Sequence, residues 1–360
     1  MKRVLFIWSI SLINLSAMGQ QNCAQSLRLA SSSYDQGRLH ELPELLKTCL
    51  ENGFSSIEKV SAYKLLALSY LYLEEPEKAD NAMLNLLRTD NFFEPNQSVD
   101  PAEFIGLYNT FRTKPLFSIG IKAIGITTLP SVINNYYVGN AAIGVGEYTT
   151  TISIGGGLSF EKSLFQKSKN HLLRKLTIAP DLLFTPRNFS YSTGSIFLAD
   201  NPQIGNTDPT RLTVVEKQTW IDLNIMLQYK LSANSSWNPY LTIGPTLSFL
   251  VGASRENITK LGETGNSVSG KTIDVSSSFR PLIYGANIGL GVKKKLGAVF
   301  LTAELRYQHS LGNAINASKR TNLENTFDYA SQFNDLNLSA FSIQFGFAYP
   351  IFIPKKLGKK

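Results

Sequence analysis

The 360-residue sequence contains only two cysteines, three histidines and four methionines, and 17% of it is charged. Two cysteines exclude a disulfide scaffold and any multi-cysteine metal module. Charge is scarce against the usual value of about a quarter. With 43% hydrophobic and 11% aromatic residues, this excludes a disordered or coiled-coil chain. After the first 19 residues there is no run long and apolar enough for a membrane-spanning helix, so any insertion into a bilayer must use strands. What is there is 26 glycines and abundant serine, threonine and asparagine, which together with the aromatic residues point to β-rich structure.

Residues 1–19 have Lys2 and Arg3, an apolar run from Val4 to Ile13, and Ser16-Ala17-Met18-Gly19 at the end. This is the pattern of a secretory signal peptide. Ala17 and Gly19 occupy the positions that signal peptidase reads, predicting Gln20 as the mature N-terminus and a charge of +6 in place of +8. Gln20-Gln21-Asn22 ahead of Cys23 argues against a lipid anchor.

The remainder divides near Pro115. Residues 20–114 carry nine Lys and Arg against thirteen carboxylates, while residues from 115 onward have a net charge of +10. The hydrophobic period changes at the same place from about 3.6 to 2. The first half predicts helices over Cys23–Gln36, His40–Glu51, Ile57–Leu73 and Glu77–Thr89, with a short fifth helix after Asp100-Pro101. Their order of packing residues resembles tetratricopeptide units: Tyr63, Ala67 and Tyr70 on one helix, then Ala79 and Met83 on the next. A weaker copy, with Ala30, Tyr34, Gly37, Leu42 and Leu46, lies 37 residues earlier. An unrelated bundle of four or five helices remains the alternative. Cys23 and Cys49, about level on helices either side of the Gly37 turn, are expected to form a disulfide in an oxidising compartment.

The second half alternates. Val299, Leu301, Ala303, Leu305 and Tyr307 share one strand face, and Thr302, Glu304, Arg306 and Gln308 share the other. Eight such stretches begin near Phe117, Thr150, Lys175, Trp220, Tyr240, Leu282, Val299 and Leu338, with long and short connections in strict alternation. This is the signature of an outer-membrane β-barrel. The expected architecture is therefore α+β and multidomain: signal peptide 1–19, a tetratricopeptide-like helical domain 20–114, an eight-stranded antiparallel transmembrane barrel 115–354, and a basic tail 355–360. Since the first and last connections are long, both termini are expected in the periplasm, with Asn201, Asn266 and Asn322 outside and Lys294 inside.

Trp237-Asn238-Pro239-Tyr240, Gly289-Leu290-Gly291-Val292, Glu304-Leu305-Arg306-Tyr307 and the last strand ending Pro354-Lys355-Lys356-Leu357 resemble the PorT-like outer membrane β-barrel family of Bacteroidetes. That resemblance implies an outer-membrane location. It also implies similarity, in some members, to components of type IX secretion and gliding machinery.

Little chemistry is legible. His40 and His171 read as solvated. His309-Ser310 resembles pairs in barrel esterases, but strand parity turns His309 toward lipid. No catalytic, metal or cofactor site is expected, and no nucleic-acid partner. Parity instead places Lys122, Asp181, Asp222, Glu304 and Arg306 inside the barrel, where charges must pair, predicting a network that plugs the lumen. The expected function is non-enzymatic: the barrel, in contact with outer-membrane lipid, anchors a module that docks a protein partner of the periplasm or outer membrane. The predicted packing and docking surface is Tyr63, Ala67, Tyr70, Ala79 and Met83. Ligand binding or adhesion through the external loops is the alternative, and a lipid-modifying enzyme is a third reading.

Overall fold

The computed structural model describes residues 23–136, 146–166, 168–194, 211–232, 237–260, 267–320 and 334–357. The leader, Asn201, Asn266 and Asn322 lie outside the described residues. The described residues form two compact units, one of those up to 115 with those from 352 on, and one of those from 116 to 351.

The first unit is helical: α1 (residues 23–35), α2 (Leu42–Glu51), α3 (Ser56–Tyr72), α4 (Pro76–Thr89) and α5 (Ala102–Asn109). Helix α3 starts at a capping box, in which Ser55 and Glu58 satisfy each other's backbone N–H groups. Its buried stripe faces α4 across the short turn at Leu73-Glu74-Glu75, and α2 and α4 each begin with a proline in the first turn. Ala30, Ala67, Leu42, Ala79, Leu46 and Met83 are all fully buried, and each of the pairs Ala30/Ala67, Leu42/Ala79 and Leu46/Met83 is 37 residues apart. The helical unit is thus two copies of one packing pattern. Small, fully buried residues at Ala67 and Ala79 let α3 and α4 approach, and Phe104 of α5 is buried in the same core as Ala67. Burial of each large apolar side chain here stabilises the unit by about 1.5–3 kcal/mol.

The tail is part of this unit. An antiparallel bridge joins Phe111 to Lys356, Arg112 N–H donates to Lys355 O at 2.9 Å, and Leu357 N–H donates to Thr110 O at 2.8 Å. The last strand thus ends at Ile351 and not at Pro354, and residues 355–357 of the expected basic tail pair with the helical unit.

The second unit is one antiparallel sheet of eight long strands: β1 (Phe117–Asn134), β2 (Glu147–Thr150, resuming as Ile152–Ser163), β3 (Leu176–Gly194), β4 (Arg211–Lys230), β5 (Trp237–Lys260), β6 (Leu282–Leu296), β7 (Val299–Leu311) and β8 (Asp335–Ile351). Each strand pairs with its sequence neighbours, and β8 pairs with β1 from Phe117↔Ile351 to Asn134↔Asp335, which closes the ring. Closure leaves no long sheet edge unpaired.

Several strands start earlier than the alternation alone indicates, at Glu147, Arg211, Trp237 and Asp335, and β5 runs on to Lys260. The inward face of the β4 extension passes from apolar Leu212 and Val214 to polar Glu216 and Gln218, all buried, which hides its period. Exposed apolar residues form a band on the outer face, for example Leu241, Ile243, Phe249 and Val251 of β5 and Phe341, Ile343, Phe345 and Phe347 of β8. That band is about the nine to eleven residues per strand that cross a bilayer. Trp237 and Tyr349 lie toward the end of the barrel where its strands begin and finish, and Tyr284 and Tyr307 toward the other, as in aromatic girdles. No helix among the described residues is long and apolar enough to cross a membrane.

In β2, an added Cβ at Gly157 would stand 2.1 Å from Leu182 O of β3. The glycine is needed because the neighbouring backbone passes too close for any side chain.

Candidate functional site

The inward faces of the eight strands bring together polar side chains from strands that are not neighbours, which places them in the lumen. Four of the five charges expected there form one cluster. Lys122 of β1 donates to Asp181 of β3 at 2.9 Å, and Arg306 of β7 donates to the same Asp181 Oδ2 at 3.0 Å and to Glu304 Oε1 at 2.7 Å. Lys122 also stands 3.9 Å from Glu304. Two cations thus meet two carboxylates with no net charge.

Neutral groups fill the remaining bonds. Asn224 donates to Asp181 Oδ1 at 2.6 Å, Asn287 to Asn224 at 2.7 Å, and the Tyr240 hydroxyl to Glu304 Oε2 at 2.9 Å. Glu304 and Arg306 are each 3% exposed, so either one alone would be a stranded charge.

Asp222 does not join this cluster. It lies in a separate layer with Arg187, which reaches both its carboxylate oxygens at 2.7 and 2.9 Å and also donates to Ser248 at 3.0 Å. Thr185 donates to Asp222 at 2.8 Å, and the Arg187 guanidinium stands 5.2 Å from the centre of the Trp220 ring. Arg187 Nε and Nη1 are buried with no protein partner.

Two more pairs complete the column. Arg255 donates to Glu216 at 2.6 Å, and Lys293 pairs with Glu161 nearer the strand ends at Leu296 and Ser163.

Arg187 and Glu216 keep the parity of Asp181 and Asp222 and were within reach of the pattern. Arg255 was not: the pairing of β4 with β5 shifts between Thr219 and Trp220, where Val251 is the extra residue. The bulge reverses which face later β5 residues present.

Beyond the Arg187 layer, apolar side chains gather around the Arg255–Glu216 pair. Phe189, Trp220, Ala253 and Leu338 pack with Val275, Phe279, Ala314 and Ile315 from the connections after β5 and β7. Phe279 bridges Ile315, and Arg280 N–H donates to Ala314 O, so these connections fold over the end of the lumen as a paired cap.

In the helical unit, Cys23 and Cys49 form a disulfide with Cα atoms 5.5 Å apart. Ala67, Ala79 and Met83 are completely buried, and Tyr63 and Tyr70 pack partly against the same core. Ala67, Ala79 and Met83 therefore hold the helices together and offer no docking surface. Burial lifts the Tyr34 phenol to about 12, with Tyr72 adding to the effect. Lys78 sits over the Tyr70 ring and pairs with Glu75.

His309 faces outward. Its Nδ1 is 3.3 Å from Ser339 Oγ, but that hydroxyl donates to Asn337 Oδ1 at 2.8 Å, while Ser310 points to the opposite, buried face. A working base would need its nucleophile's proton and a group orienting the ring from the far side. His40 lies in the turn before α2 and His171 in the short helix His171–Arg174. Among the described residues, no three or more His, Cys, Asp and Glu groups are placed to hold a metal ion.

The model of a family described as outer membrane protein beta-barrel domain matches residues 133–316. No curated protein matches the chain. Among solved structures it is similar to OprG from Pseudomonas aeruginosa, with 13% identity and a TM-score of 0.35 over 67% of this chain and 98% of that one. It is also similar to neisserial surface protein A, with 14% identity and a TM-score of 0.27 over 65% and 97%. The attachment invasion locus protein Ail of Yersinia pestis matches at 9% identity and a TM-score of 0.26 over 66% and 99%.

Proposed function

We propose, for a chain that belongs to the outer membrane protein β-barrel domain family and so resides in the outer membrane, the role of an anchor that holds a helical protein-docking unit at the membrane's inner surface. The observation that carries this reading is the filled lumen. Ion pairs occupy its length, and an apolar cap covers one end. A barrel of eight strands is just wide enough for side chains to fill it. With no aqueous path to serve, the helical unit is the part left to act.

The two-copy helical pattern, read as tetratricopeptide-like, supports docking, because stacked helix pairs offer an extended surface for protein recognition. The short connections, Gly297-Ala298 among them, lie at the same end of the barrel as its termini. Outer-membrane barrels keep their short turns in the periplasm, which supports a periplasmic helical unit. The PorT-like resemblance favours an envelope, secretion or gliding assembly as the setting.

A cleft of about 540 Å³ beside Lys217, Ser254 and Asp274, just beyond the apolar band, favours a second reading in which the external loops bind a ligand.

Two experiments test the first reading. Cysteines at Ala298 and Lys271, labelled on intact cells with an impermeant reagent, should react at 271 and not at 298; the opposite result reverses the orientation. A photo-cross-linker at the exposed Ile57 or Tyr72 should capture a second protein in cells. Capture of this chain alone would overturn the docking role.

A further inference from the structure

The chain's last described residues occupy the helical unit in a way that defines what else fits there. Residues 355–357 pair antiparallel with Thr110–Arg112, and residues 352–354 lead into that pairing. The Arg112 guanidinium donates to Ile353 O through Nε at 3.0 Å and Nη2 at 2.7 Å, and the main chain adds the bonds from Arg112 N–H to Lys355 O and from Leu357 N–H to Thr110 O. These contacts read backbone, so they accept any extended segment.

Side-chain selection comes from the alternate positions. Phe352 meets Phe92 edge to face with ring centres 4.9 Å apart, and Lys356, four residues on, pairs with Asp80 of α4. The residues between them are less selected: Ile353 is 48% exposed. The seat therefore reads an aromatic side chain followed at the fourth position by a lysine.

The occupancy also revises the charge of this surface. Glu75 is neutralised by Lys78 of α4 itself, and Asp80 by Lys356, so Asp80 is the α4 carboxylate that the basic segment satisfies. That segment is weakly held. It is joined by an isolated bridge, and the Lys356 side chain is 51% exposed. Such exposed, unladdered pairings open at small cost.

We infer that Thr110–Arg112, Phe92 and Asp80 form an acceptor site for an extended basic segment with an aromatic residue four positions before a lysine. The C-terminal segment is its resident occupant, and the docking partner enters by replacing it. The partner's entry rests on the function proposed above; the acceptor site itself does not.

The test uses the full chain in detergent and a chain ending at Ile351, each titrated with a fluorescent peptide of residues 352–360. The shortened chain should bind the peptide at least about tenfold more tightly than the full chain, whose own tail competes at high effective concentration. Asp80→Lys or Phe92→Ala in the shortened chain should remove most of that binding, and a peptide with glutamates for lysines should not bind.

Equal binding to both chains would overturn the site. So would no binding to a shortened chain that retains its Cys23–Cys49 bond and helical circular dichroism. Should the shortened chain not fold, trypsin cleavage after Lys355 in the full chain decides. It should be slow, fast in Asp80→Lys, and slow again when Lys356→Asp is added; identical rates in all three would sink the proposal. Peptide binding with no cross-linked partner in cells would leave the acceptor site standing and the docking role refuted.

Discussion

Gly37 and Glu74, 37 residues apart, close the same turn in the two copies of the helical pattern. Both have positive φ, +77° and +57°. Gly37 N–H donates to Tyr34 O and Arg38 N–H to Ser33 O, and Glu74 N–H donates to Leu71 O and Glu75 N–H to Tyr70 O. The bonding is identical, but only one copy has glycine where the left-handed backbone favours it. Glu74→Gly should therefore stabilise the helical unit by about 1 kcal/mol, and Gly37→Ala, with open space around its Cβ, should cost about 1–2 kcal/mol through backbone conformation alone. Urea unfolding followed by far-ultraviolet circular dichroism measures both. A loss of stability in Glu74→Gly would contradict the repeat equivalence.

The close approach of β2 to β3 gives a second prediction. Gly157→Val places a side chain against Leu182 O and should destabilise the barrel by about 1–3 kcal/mol, with poor folding yield. Gly252→Val, on the outer face with nothing within 4 Å, should fold normally. Similar yields for the two variants would refute the steric account.

Arg306→Ala leaves Asp181 and Glu304 sharing only Lys122 and should cost about 3–5 kcal/mol, the range for breaking a buried ion pair. Asp222→Asn should leave the Lys122–Asp181–Arg306 cluster intact, because the two layers share no charged group. A double-variant cycle of Arg306 with Asp222 should be additive, and with Asp181 strongly non-additive.

The helical unit should weaken at alkaline pH. Tyr34 titrates near the ordinary value of 10.0 when unfolded and near 12 when folded. A raised folded value contributes stability that is complete below 10 and lost as pH rises through 12. Tyr34→Phe should flatten the pH dependence of urea unfolding in that window; an unchanged slope would remove Tyr34 as its cause.

Eight strands, their inward charges Lys122, Asp181, Glu304 and Arg306, and the helical packing residues were legible because each rests on a period of 2 or 3.6 that one sequence displays. Asp222 was placed inside correctly but grouped wrongly, since parity gives the face of a strand and not the height of a side chain along the lumen. Arg255 was hidden by the bulge at Val251. The apolar cap was illegible because its residues, such as Phe279 and Ile315, come from irregular connections with no period. The tail misled for a related reason: Phe352 and Ile353 continue the apolar character of β8, while their partners Phe92 and Arg112 lie 260 and 241 residues away in sequence.

The central claim is that the lumen is sealed by its own paired side chains, so the barrel holds and does not conduct. Single-channel recording of the purified full chain in planar bilayers tests it directly. The account predicts no stable openings in the wild-type protein. A large, steady, ohmic conductance from wild-type protein would contradict it.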